Sequence, residues 1–416
     1  MKSVNDIAAV GTPGPDEIVV IVGAGIAGVR CALALREAGF AGAVKLLNAE
    51  EHFPYDRPPL SKGVLTGEQS IARIALAKPE ELKEAGIELI SNARCTRVDL
   101  AKHQVELANG DIICWDRLVL ATGSAVRTLP DLPQGAPGVH YLRTLDDAKR
   151  LRARIEMVKA VAVVGAGVIG LEVAASLTAL GVAVTVIDPA PRVMSRSASA
   201  PLGDLLLARH KAAGVSFHLG TTANSIKREE NGFVFTLSDG SELSADDVVV
   251  GVGVTPCCDL ATGCGIAADK GGILTDEHGR TSDPMVYAAG EVAYHVNVGL
   301  GRYDRQETWA HAASHGEHVG YAIMGRDVGY AELSSYWTDQ YDLAIQVIGV
   351  PSGEVDIVNG DLFADGGLVF HMIDGAVGGV TSVNAVRKLR TARKLIGRTI
   401  DPAVLADART DFKQLA

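Results

Sequence analysis

The chain has 416 residues, of which 47% are apolar and only 5% aromatic, and its formal net charge is −11. This length exceeds what a single hydrophobic core usually supports, so we expect two or three domains. The acidic balance disfavours a nucleic-acid-binding protein, which normally presents a basic face.

The sequence carries no signal for secretion or membrane insertion. No stretch approaches the about 18 apolar residues of a membrane span, and no apolar region follows the positive residue in Met1–Asp6. The six cysteines form no C-x-x-C pair and no zinc-binding spacing: Cys31, Cys95, Cys114, Cys257, Cys258 and Cys264. We therefore expect a cytoplasmic protein with reduced thiols and no membrane segment.

The first predicted strand, Glu17–Val22, is almost continuously apolar, as buried parallel strands are. It leads directly into the G-x-G-x-x-G motif Gly23-Ala24-Gly25-Ile26-Ala27-Gly28 and then into a predicted helix. The first glycine permits a tight turn, the second lets the backbone approach a pyrophosphate, and the third lets helix and strand pack closely. This context predicts a dinucleotide-binding βαβ unit.

A second unit of the same kind follows. Val161–Val164 leads into Gly165-Ala166-Gly167-Val168-Ile169-Gly170, and the next predicted strand, Val182–Ile187, ends on Asp188. An acidic side chain about 20 residues past the glycines is placed to accept hydrogen bonds from a ribose 2′-OH. Two complete units predict two dinucleotides.

Three further segments resemble elements of the two-dinucleotide flavoprotein family. Leu118–Gly123 contains an A-T-G element, Asp247–Pro256 a G-x-G-x-x-P element, and Thr281–Glu291 resembles T-x-x-x-x-Y-A-x-G-D. The resemblance implies that the N-terminal unit holds FAD and that the inserted second unit holds NADH or NADPH. It also implies that the carboxylate of Glu291 hydrogen-bonds the flavin ribityl chain.

The segment Pro54–Lys62 identifies a branch of that family. It resembles the P-Y-x-R-P-P-L-S-K motif of the ferredoxin reductases that serve bacterial oxygenases, the family of putidaredoxin reductase and the biphenyl-type dioxygenase reductases. Prolines fix a rigid approach, so the lysine that follows them can be aimed. The resemblance implies that Lys62 acts at the flavin N5 side as a catalytic residue, paired with Glu172.

Two C-terminal motifs agree with this assignment. Glu307-Thr308-Trp309-Ala310 resembles the E-S/T-x-x-A segment that opens a helix directed at the flavin pyrimidine, where a helix N-terminus supplies positive potential. Ser335–Tyr341 resembles the W-Y-W-S-D-Q segment at the start of the family's last domain. The resemblance therefore extends from about Glu17 to about Asp401.

The resemblance implies a set of cofactor-binding residues and no metal. They are Gly23, Gly25, Ile26, Ala27, Gly28, Glu50, Arg57, Lys62, Cys95, Ala121, Thr122, Gly123, Arg127, Glu291, Glu307, Thr308, Trp309, Trp337, Gly165, Gly167, Val168, Ile169, Gly170, Glu172, Asp188, Arg192 and Gly253.

Two positions depart from the family pattern. The strand after the first glycine motif usually ends in Gly-Asp, whose Asp binds the adenosine ribose, but the aligned pair here is Asn48-Ala49. Neighbouring Glu50 is the expected substitute. The usual Asp of the last G-D element is Glu291, which keeps the acceptor on a side chain one methylene longer.

We expect an α/β fold of two Rossmann-like dinucleotide-binding domains, one for FAD and one for NAD, with a C-terminal α+β domain. The FAD domain would comprise residues 1–130 and 251–329, the NAD domain 131–250, and the C-terminal domain 330–416.

The expected activity is hydride transfer from NADH to FAD, followed by transfer of single electrons to an acidic [2Fe–2S] ferredoxin. Asp188 favours NADH over NADPH, although Arg192 softens its repulsion of a 2′-phosphate. Another acceptor, such as rubredoxin or a quinone, stays open. A redox-signalling flavoprotein resembling apoptosis-inducing factor is a further open alternative. The oligomeric state, monomer or homodimer, also stays open.

Other readings are weaker. Disulfide reductases of the same superfamily need a redox cysteine near the flavin, where this chain has Pro-Pro-Leu-Ser-Lys. Cys257 and Cys258 are adjacent in sequence, which is a strained spacing for a disulfide, so we expect both to be small buried hydrophobic residues.

His311, His315 and His318 share one helical face, a spacing that zinc can use, but no Glu-x-x-His pattern or cysteine accompanies them.

A basic stretch from Arg387 to Arg398 contains six Lys and Arg residues and no acidic residue. It is either a solvated helix face or a dock for an acidic ferredoxin. Arg57, Arg73 and Arg305 are alternative docking residues.

Overall fold

The computed structural model describes residues 10–415. Residues 1–9 and 416 lie outside this range, and so does the expectation about Met1–Asp6. The chain forms two compact units. The first comprises residues up to 56, 71–125 and 254–334, and the second comprises 57–70, 126–253 and the residues from 335 onward. The predicted domain boundaries stay predictions.

The N-terminal part begins with a strand–helix–strand unit. Its elements are β1 (Ile18–Val22), α1 (Ile26–Glu37), β2 (Ala43–Leu47), α2 (Gly63–Thr66), α3 (Pro79–Glu84), β3 (Ile87–Ile90), β4 (Cys95–Asp99), β5 (Gln104–Leu107), β6 (Ile112–Cys114), β7 (Arg117–Leu120) and β8 (Ser124–Val126). Short 3-10 turns lie at Pro58–Ser61 and Ile71–Ile74. Strands β4, β5 and β6 form a small antiparallel sheet.

The middle part contains the second such unit. Its elements are β9 (Val139–Tyr141), α4 (Leu145–Ile155), β10 (Ala160–Val164), α5 (Val168–Ala179), β11 (Ala183–Asp188), α6 (Ala200–Ala212), β12 (Ser216–Leu219), β13 (Ala223–Glu229), β14 (Gly232–Leu237), β15 (Glu242–Ala245) and β16 (Asp247–Val250). The parallel sheet has the order β12-β11-β10-β16-β9. Strands β13, β14 and β15 form a separate antiparallel sheet.

The chain then returns to the first unit. The elements are β17 (Val254–Pro256), α7 (Asp259–Gly263), β18 (Ala268–Asp269), β19 (Gly272–Thr275), β20 (Val286–Ala288), β21 (Ala293–Asn297), β22 (Arg302–Asp304) and α8 (Trp309–Ile323). A 3-10 turn covers Gly290–Val292. Strand β20 completes the first parallel sheet, whose order is β20-β7-β1-β2-β3.

The C-terminal part is a five-stranded antiparallel sheet followed by short helices. Its elements are β23 (Ser335–Gln340), β24 (Leu343–Gly349), β25 (Val355–Asp361), β26 (Gly366–Ile373), β27 (Ala376–Val383), α9 (Val386–Ala392) and α10 (Pro402–Ala406), with 3-10 turns at Arg393–Leu395 and Phe412–Gln414. The strand order is β23-β24-β27-β26-β25. The predicted fold class is thus confirmed.

Strands in the middle of the two parallel sheets are buried on both faces, as their unbroken apolar sequences require. In the first unit, α8 packs closely on α1. A Cβ atom at Gly316 would overlap the carbonyl of Ala27, and one at Gly320 would come within 2.6 Å of the Cys31 carbonyl oxygen. Glycine at these two positions therefore sets how near the helices approach. Among residues 10–415, no helix is both long and apolar enough to cross a bilayer.

Candidate active site

The first glycine turn connects β1 to α1 by a backbone path that only glycine follows easily. Gly23 has φ +113°, and a Cβ atom there would overlap the carbonyl oxygen of Ala121. A Cβ atom at Gly28 would overlap the carbonyl of Gly23. At Gly25, the N-cap of α1, an added Cβ would meet nothing within 4 Å. The turn is thus closed on the protein side and open above the helix N-terminus.

The second glycine turn repeats this arrangement between β10 and α5. Gly165 has φ +112° and faces the carbonyl of Gly251, and Gly170 packs against the carbonyl of Gly165. Gly167 is the N-cap of α5 and again has open space where a Cβ atom would lie. Neither α1 nor α5 has a side-chain cap or an acidic residue in its first turn. The first amides of both helices are therefore free of internal competitors for an anion.

The residue after the second strand differs between the two turns. The Asp188 carboxylate accepts a hydrogen bond from the Ala166 amide at 2.6 Å and another from the Ala190 amide at 2.7 Å. Strand register pairs Val164 with Ile187 and Val22 with Leu47, so Asn48 occupies the place equivalent to Asp188.

Asn48 is held by its own local contacts. Its side-chain oxygen accepts from the Glu50 amide at 3.2 Å, and its side-chain nitrogen donates to the His52 carbonyl at 2.7 Å. The carboxylate of Glu50 accepts from the Tyr55 hydroxyl at 2.6 Å. The role expected of Glu50 stays a prediction.

Lys62 and Glu172 form the chemically most unusual group. Glu172 lies in the second turn of α5 and its side chain is only 3% exposed. Its Oε1 atom lies 3.4 Å from Lys62 Nζ and accepts a hydrogen bond from the Thr338 hydroxyl at 2.7 Å, and its Oε2 atom accepts from the Ser61 hydroxyl. Lys62 also lies 3.7 Å from Asp339 Oδ2.

Burial raises the pKa of Glu172, while the ammonium of Lys62 and the hydroxyls of Ser61 and Thr338 act in the opposite direction. The carboxylate accepts three donors, which is what a buried ionised group needs. Sequence reasoning paired Lys62 with Glu172 but missed Ser61 and Thr338. Both residues lie inside motifs that it had singled out.

The start of α8 is fixed by four contacts. The Thr308 hydroxyl caps the helix by accepting from the His311 amide at 3.2 Å, and Trp309 Nε1 donates to Asp56 Oδ1 at 2.6 Å. Arg305 donates to the Glu291 carbonyl at 3.1 Å and pairs with Glu307 at 2.8 Å. These contacts hold the Glu291 turn and the N-terminus of α8 in one arrangement.

The sequence of the chain matches two family profiles. That of "Pyridine nucleotide-disulphide oxidoreductase" covers residues 18–316, and that of "Reductase C-terminal" covers residues 335–416. The chain belongs to the pyridine nucleotide-disulphide oxidoreductase family. The recognition made from its motifs is thereby confirmed.

The chain is similar to reductases of bacterial oxygenase systems. It is 38% identical to the p-cumate 2,3-dioxygenase system ferredoxin–NAD(+) reductase component of Pseudomonas putida, over 96% of this chain and 98% of the relative. The ferredoxin reductase for the CYP199A2 system from Rhodopseudomonas palustris superposes with a TM-score of 0.92 at 35% identity, over 96% of this chain and all of that one. The covalent putidaredoxin reductase–putidaredoxin complex gives 0.89 at 31% identity, over 96% and 98% of the two chains.

Proteins of this family depend on FAD and take their electrons from a pyridine nucleotide, so this oxidoreductase is an FAD protein that uses NADH. The residues present fit two dinucleotides. Each glycine turn leaves open space at Gly25 or Gly167, directly in front of uncapped helix amides, which suits a pyrophosphate.

Several other predicted cofactor residues of this oxidoreductase lie in loops. The Thr122 hydroxyl donates to the Cys257 carbonyl at 2.8 Å, and the Gly123 carbonyl accepts from the Cys257 amide at 2.9 Å. The amide of Arg127 donates to the Gly253 carbonyl at 2.9 Å, and the Arg127 side chain is exposed. These contacts place the A-T-G element beside Cys257, which directly follows the G-x-G-x-x-P element.

Four further predicted residues lie in other segments of the chain. Burial raises the pKa of Cys95 to about 11, and Trp337 lies half-buried on β23. One guanidinium nitrogen of Arg192 is buried without a hydrogen-bond partner and lies against Gly203 of α6. Arg57 is half-buried immediately before the Pro58–Ser61 turn. Cofactor contact by any of these four stays a prediction.

The histidines of α8 pack as stacked rings. His311 and His315 are buried with planes 17° apart, and His295 stacks on His311 at 16°. Within the described residues, no group of His, Cys, Asp or Glu could hold a metal ion. His315 Nδ1 instead accepts from the Gly290 amide at 3.0 Å, next to Glu291.

Proposed function

We propose that the protein is the ferredoxin reductase component of a bacterial oxygenase electron-transfer chain. NADH would be its electron donor and a [2Fe–2S] ferredoxin its acceptor. The observation that carries the proposal is the Lys62–Glu172 pair. Lys62 lies in the Pro-Pro-Leu-Ser-Lys segment, where disulfide-reducing relatives need a cysteine, so the protein is suited to outward electron transfer rather than to thiol chemistry.

The chemistry that bound FAD supplies is the conversion of a two-electron hydride donor into a source of single electrons. The chain contributes binding and placement. The amides after Gly25 and Gly167 would hold the two pyrophosphates, and Asp188 would accept from the ribose 2′-OH of NADH. Glu291 and the N-terminus of α8 would hold the flavin.

Lys62 and Glu172 would orient the nicotinamide for hydride transfer. Glu172 is fixed by three hydrogen bonds and cannot drift, and its charge keeps Lys62 in place across 3.4 Å. A reacting pair held in one geometry avoids the entropic cost of finding it. Neither residue needs to exchange a proton with the substrate for this role.

The acceptor would dock on the basic surface, defined as the six side chains Arg387, Lys388, Arg390, Arg393, Lys394 and Arg398. All six are exposed; five lie on α9 and the 3-10 turn that follows it, and Arg398 lies three residues beyond that turn. Among the described residues none of the six is in an ion pair. Leu389, Ala392 and Leu395 of the same segment are buried, so the charges face outward. An unpaired basic surface on an acidic protein attracts an acidic partner selectively.

The test is NADH-driven reduction of cytochrome c by the purified holoenzyme in the presence of different carriers. We expect fast reduction with a [2Fe–2S] ferredoxin and slow reduction with rubredoxin, with a quinone or with no carrier. Equal rates with and without ferredoxin would contradict the proposal. We also propose that the protein acts in the cytoplasm, where NADH and oxygenase ferredoxins are available.

A further inference from the structure

A line of buried polar side chains extends away from Glu172 along β23. Thr338 and Gln340 are two residues apart on this strand, so their side chains share its inner face. The Thr338 hydroxyl lies 2.7 Å from Glu172 Oε1, and Gln340 Nε2 lies 3.0 Å from the Thr338 oxygen. Thr338 is fully buried and Gln340 is 1% exposed.

The line continues into α6. Gln340 Oε1 lies 2.8 Å from His210 Nε2, and the Tyr341 hydroxyl lies 3.1 Å from His210 Nδ1. His210 is fully buried, and its pKa is lowered chiefly by that burial. Arg209 stacks over the Tyr341 ring at 4.6 Å and pairs with Asp342 at 2.6 Å, so the turn after β23 is tied to the helix.

The ionised carboxylate of Glu172 fixes the direction of every hydrogen bond in this line. A carboxylate only accepts, so the Thr338 hydroxyl must donate to it. The Thr338 oxygen can then only accept from Gln340, which requires the NH₂ of Gln340 to face Thr338. The carbonyl oxygen of Gln340 consequently faces His210, and neutral His210 must carry its proton on Nε2.

We propose that Thr338 is a positioning residue for Glu172 and that Gln340 and His210 hold the Thr338 hydroxyl in its donating orientation. The proposal rests on the role proposed above for Lys62 and Glu172. The line is not a proton wire, because the Gln340 amide in its middle does not readily pass protons on. It is a one-way series of dipoles whose positive ends point at Glu172.

The charged groups that face Glu172 bear on any pH effect. Lys62 faces it from the loop after the Pro58–Ser61 turn, and Asp339 of β23 acts on it through Lys62. Thr338→Val keeps the shape of the side chain and removes the donated hydrogen bond. Burial raises the pKa of Glu172, so losing one of three opposing donors should raise it further.

The first test determines which ring nitrogen of His210 carries the proton. Holoenzyme labelled with ¹⁵N-histidine should show His210 as a neutral ring protonated on Nε2, with the signal assigned by its loss in His210→Gln. A ring protonated on Nδ1 would reverse the line and overturn the proposal.

The second test follows flavin reduction by NADH in stopped flow across a range of pH. We expect Thr338→Val to slow reduction roughly tenfold at neutral pH, the effect of one hydrogen bond to a charged group. Its pH profile should shift to higher pH. Thr338→Ser keeps the hydroxyl and should restore the wild-type profile.

Thr381→Val is the matched control. Thr381 is equally buried in the same sheet and is hydrogen-bonded to His371 at 2.7 Å, far along the chain from Glu172. Thr381→Val should lower the free energy of unfolding as much as Thr338→Val does and leave the pH profile of flavin reduction unchanged. A wild-type profile for Thr338→Val would overturn this inference alone, whereas normal rates of flavin reduction in Glu172→Gln and Lys62→Met as well would count against the role proposed above for that pair.

Discussion

The two glycine-turn units of this protein share a backbone plan and differ in the side chains placed on it. Gly23 and Gly165 have φ values of +113° and +112°, and the N-caps Gly25 and Gly167 have ψ values of −178° and −175°. Each third glycine packs against the carbonyl of the first. Backbone geometry alone thus accounts for two similar sites for a pyrophosphate.

The helices diverge one turn later. The residue seven positions after the first glycine is Arg30 on α1 and Glu172 on α5. Arg30 is 44% exposed and pairs with Glu317 at 2.5 Å on the surface, whereas Glu172 is buried with Lys62. We therefore propose that the first unit only binds its dinucleotide, whereas the second unit also positions its dinucleotide through the buried side chain of Glu172.

The strand ends diverge as well. Asp188 reaches back to the amide of its own glycine turn, while Asn48 is held by residues that follow it. A carboxylate discriminates between a ribose hydroxyl and a phosphate, and an amide does so weakly. Selectivity between NADH and NADPH should accordingly belong to the second unit alone.

The largest expected effect comes from breaking the buried pair. Lys62→Met and Glu172→Gln should each slow flavin reduction by NADH roughly a hundredfold, because removing one partner leaves the other buried and uncompensated. FAD content should change little. Stopped-flow absorbance measures the rate. Arg30→Met, at the equivalent place in the first unit, is the control and should reduce at the wild-type rate. If it slows reduction as much as Lys62→Met does, the distinction between the helices fails.

The next effect concerns the strand ends. NADH should be preferred over NADPH by roughly tenfold to a hundredfold in kcat/KM, since a 2′-phosphate would lie close to the Asp188 carboxylate. Asp188→Ser should remove most of that preference. Asn48→Ser should leave the ratio unchanged. Equal kcat/KM values for the two nucleotides in the wild type would refute the assignment of Asp188.

A smaller effect is expected at the basic surface. Replacing Arg390 and Arg393 with Glu should raise the KM for ferredoxin about tenfold and flatten its salt dependence, because exposed charges are screened within about 10 Å at 0.1 M salt. The matched control, Lys211→Glu with Lys227→Glu, makes the same charge change at exposed residues outside the basic surface. It should have little effect on the KM for ferredoxin. Ferricyanide reduction should not change in either variant. An unchanged ferredoxin KM and salt slope would move the dock to Arg57, Arg73 or Arg305.

The smallest expected effect is on acid stability, and it comes from a buried histidine of the first unit. Burial lowers the pKa of His295 to about 4 from 6.5, so only the unfolded chain binds this proton between those values. The free energy of unfolding should therefore fall as the pH drops below 6.5. Burial acts to raise the pKa of Asp247 in the second unit, but His140 and Arg154 outweigh it and hold that pKa at about 2. The stability that Asp247 contributes is therefore lost only as the pH falls below 3.8, the ordinary pKa of an aspartate.

Urea unfolding at about pH 7.5 and about pH 5 tests this difference. His295→Leu should weaken the loss of stability over that interval, and His218→Leu, a half-exposed histidine of the second unit, should not. If both variants lose as much as the wild type, His295 is not the cause.

Sequence reasoning could predict features that local pattern determines. Both glycine turns and the helices they open were placed correctly, because each lies in a motif whose spacing has a steric cause. The pairing of Lys62 with Glu172, which are 110 residues apart in sequence, was implied by the family resemblance. Contacts between distant parts of the chain that the resemblance does not cover could not be predicted. Thr338, Gln340 and His210 meet only because β23 lies beside α5 and α6, and nothing near any of them in sequence indicates the other two.

Position on a strand is a second limit. Alignment of the first strand end to the family pattern pointed to Ala49 and its neighbour Glu50, and the register of β1 with β2 places Asn48 in the position equivalent to Asp188. Which of these side chains contacts a ribose stays a prediction. A shift of one residue changes which side chain a ligand meets. Register is set by the whole sheet and is not visible in one strand.

The most direct test of the central claim is the stoichiometry of electron transfer. Holoenzyme reduced without oxygen by one equivalent of NADH is mixed with excess oxidised [2Fe–2S] ferredoxin, and the reduced ferredoxin is counted by its absorbance. The proposal predicts two ferredoxins reduced per NADH, with full return of the oxidised flavin spectrum. A flavin that stays reduced in the presence of ferredoxin, yet reoxidises with rubredoxin or a quinone, would contradict it.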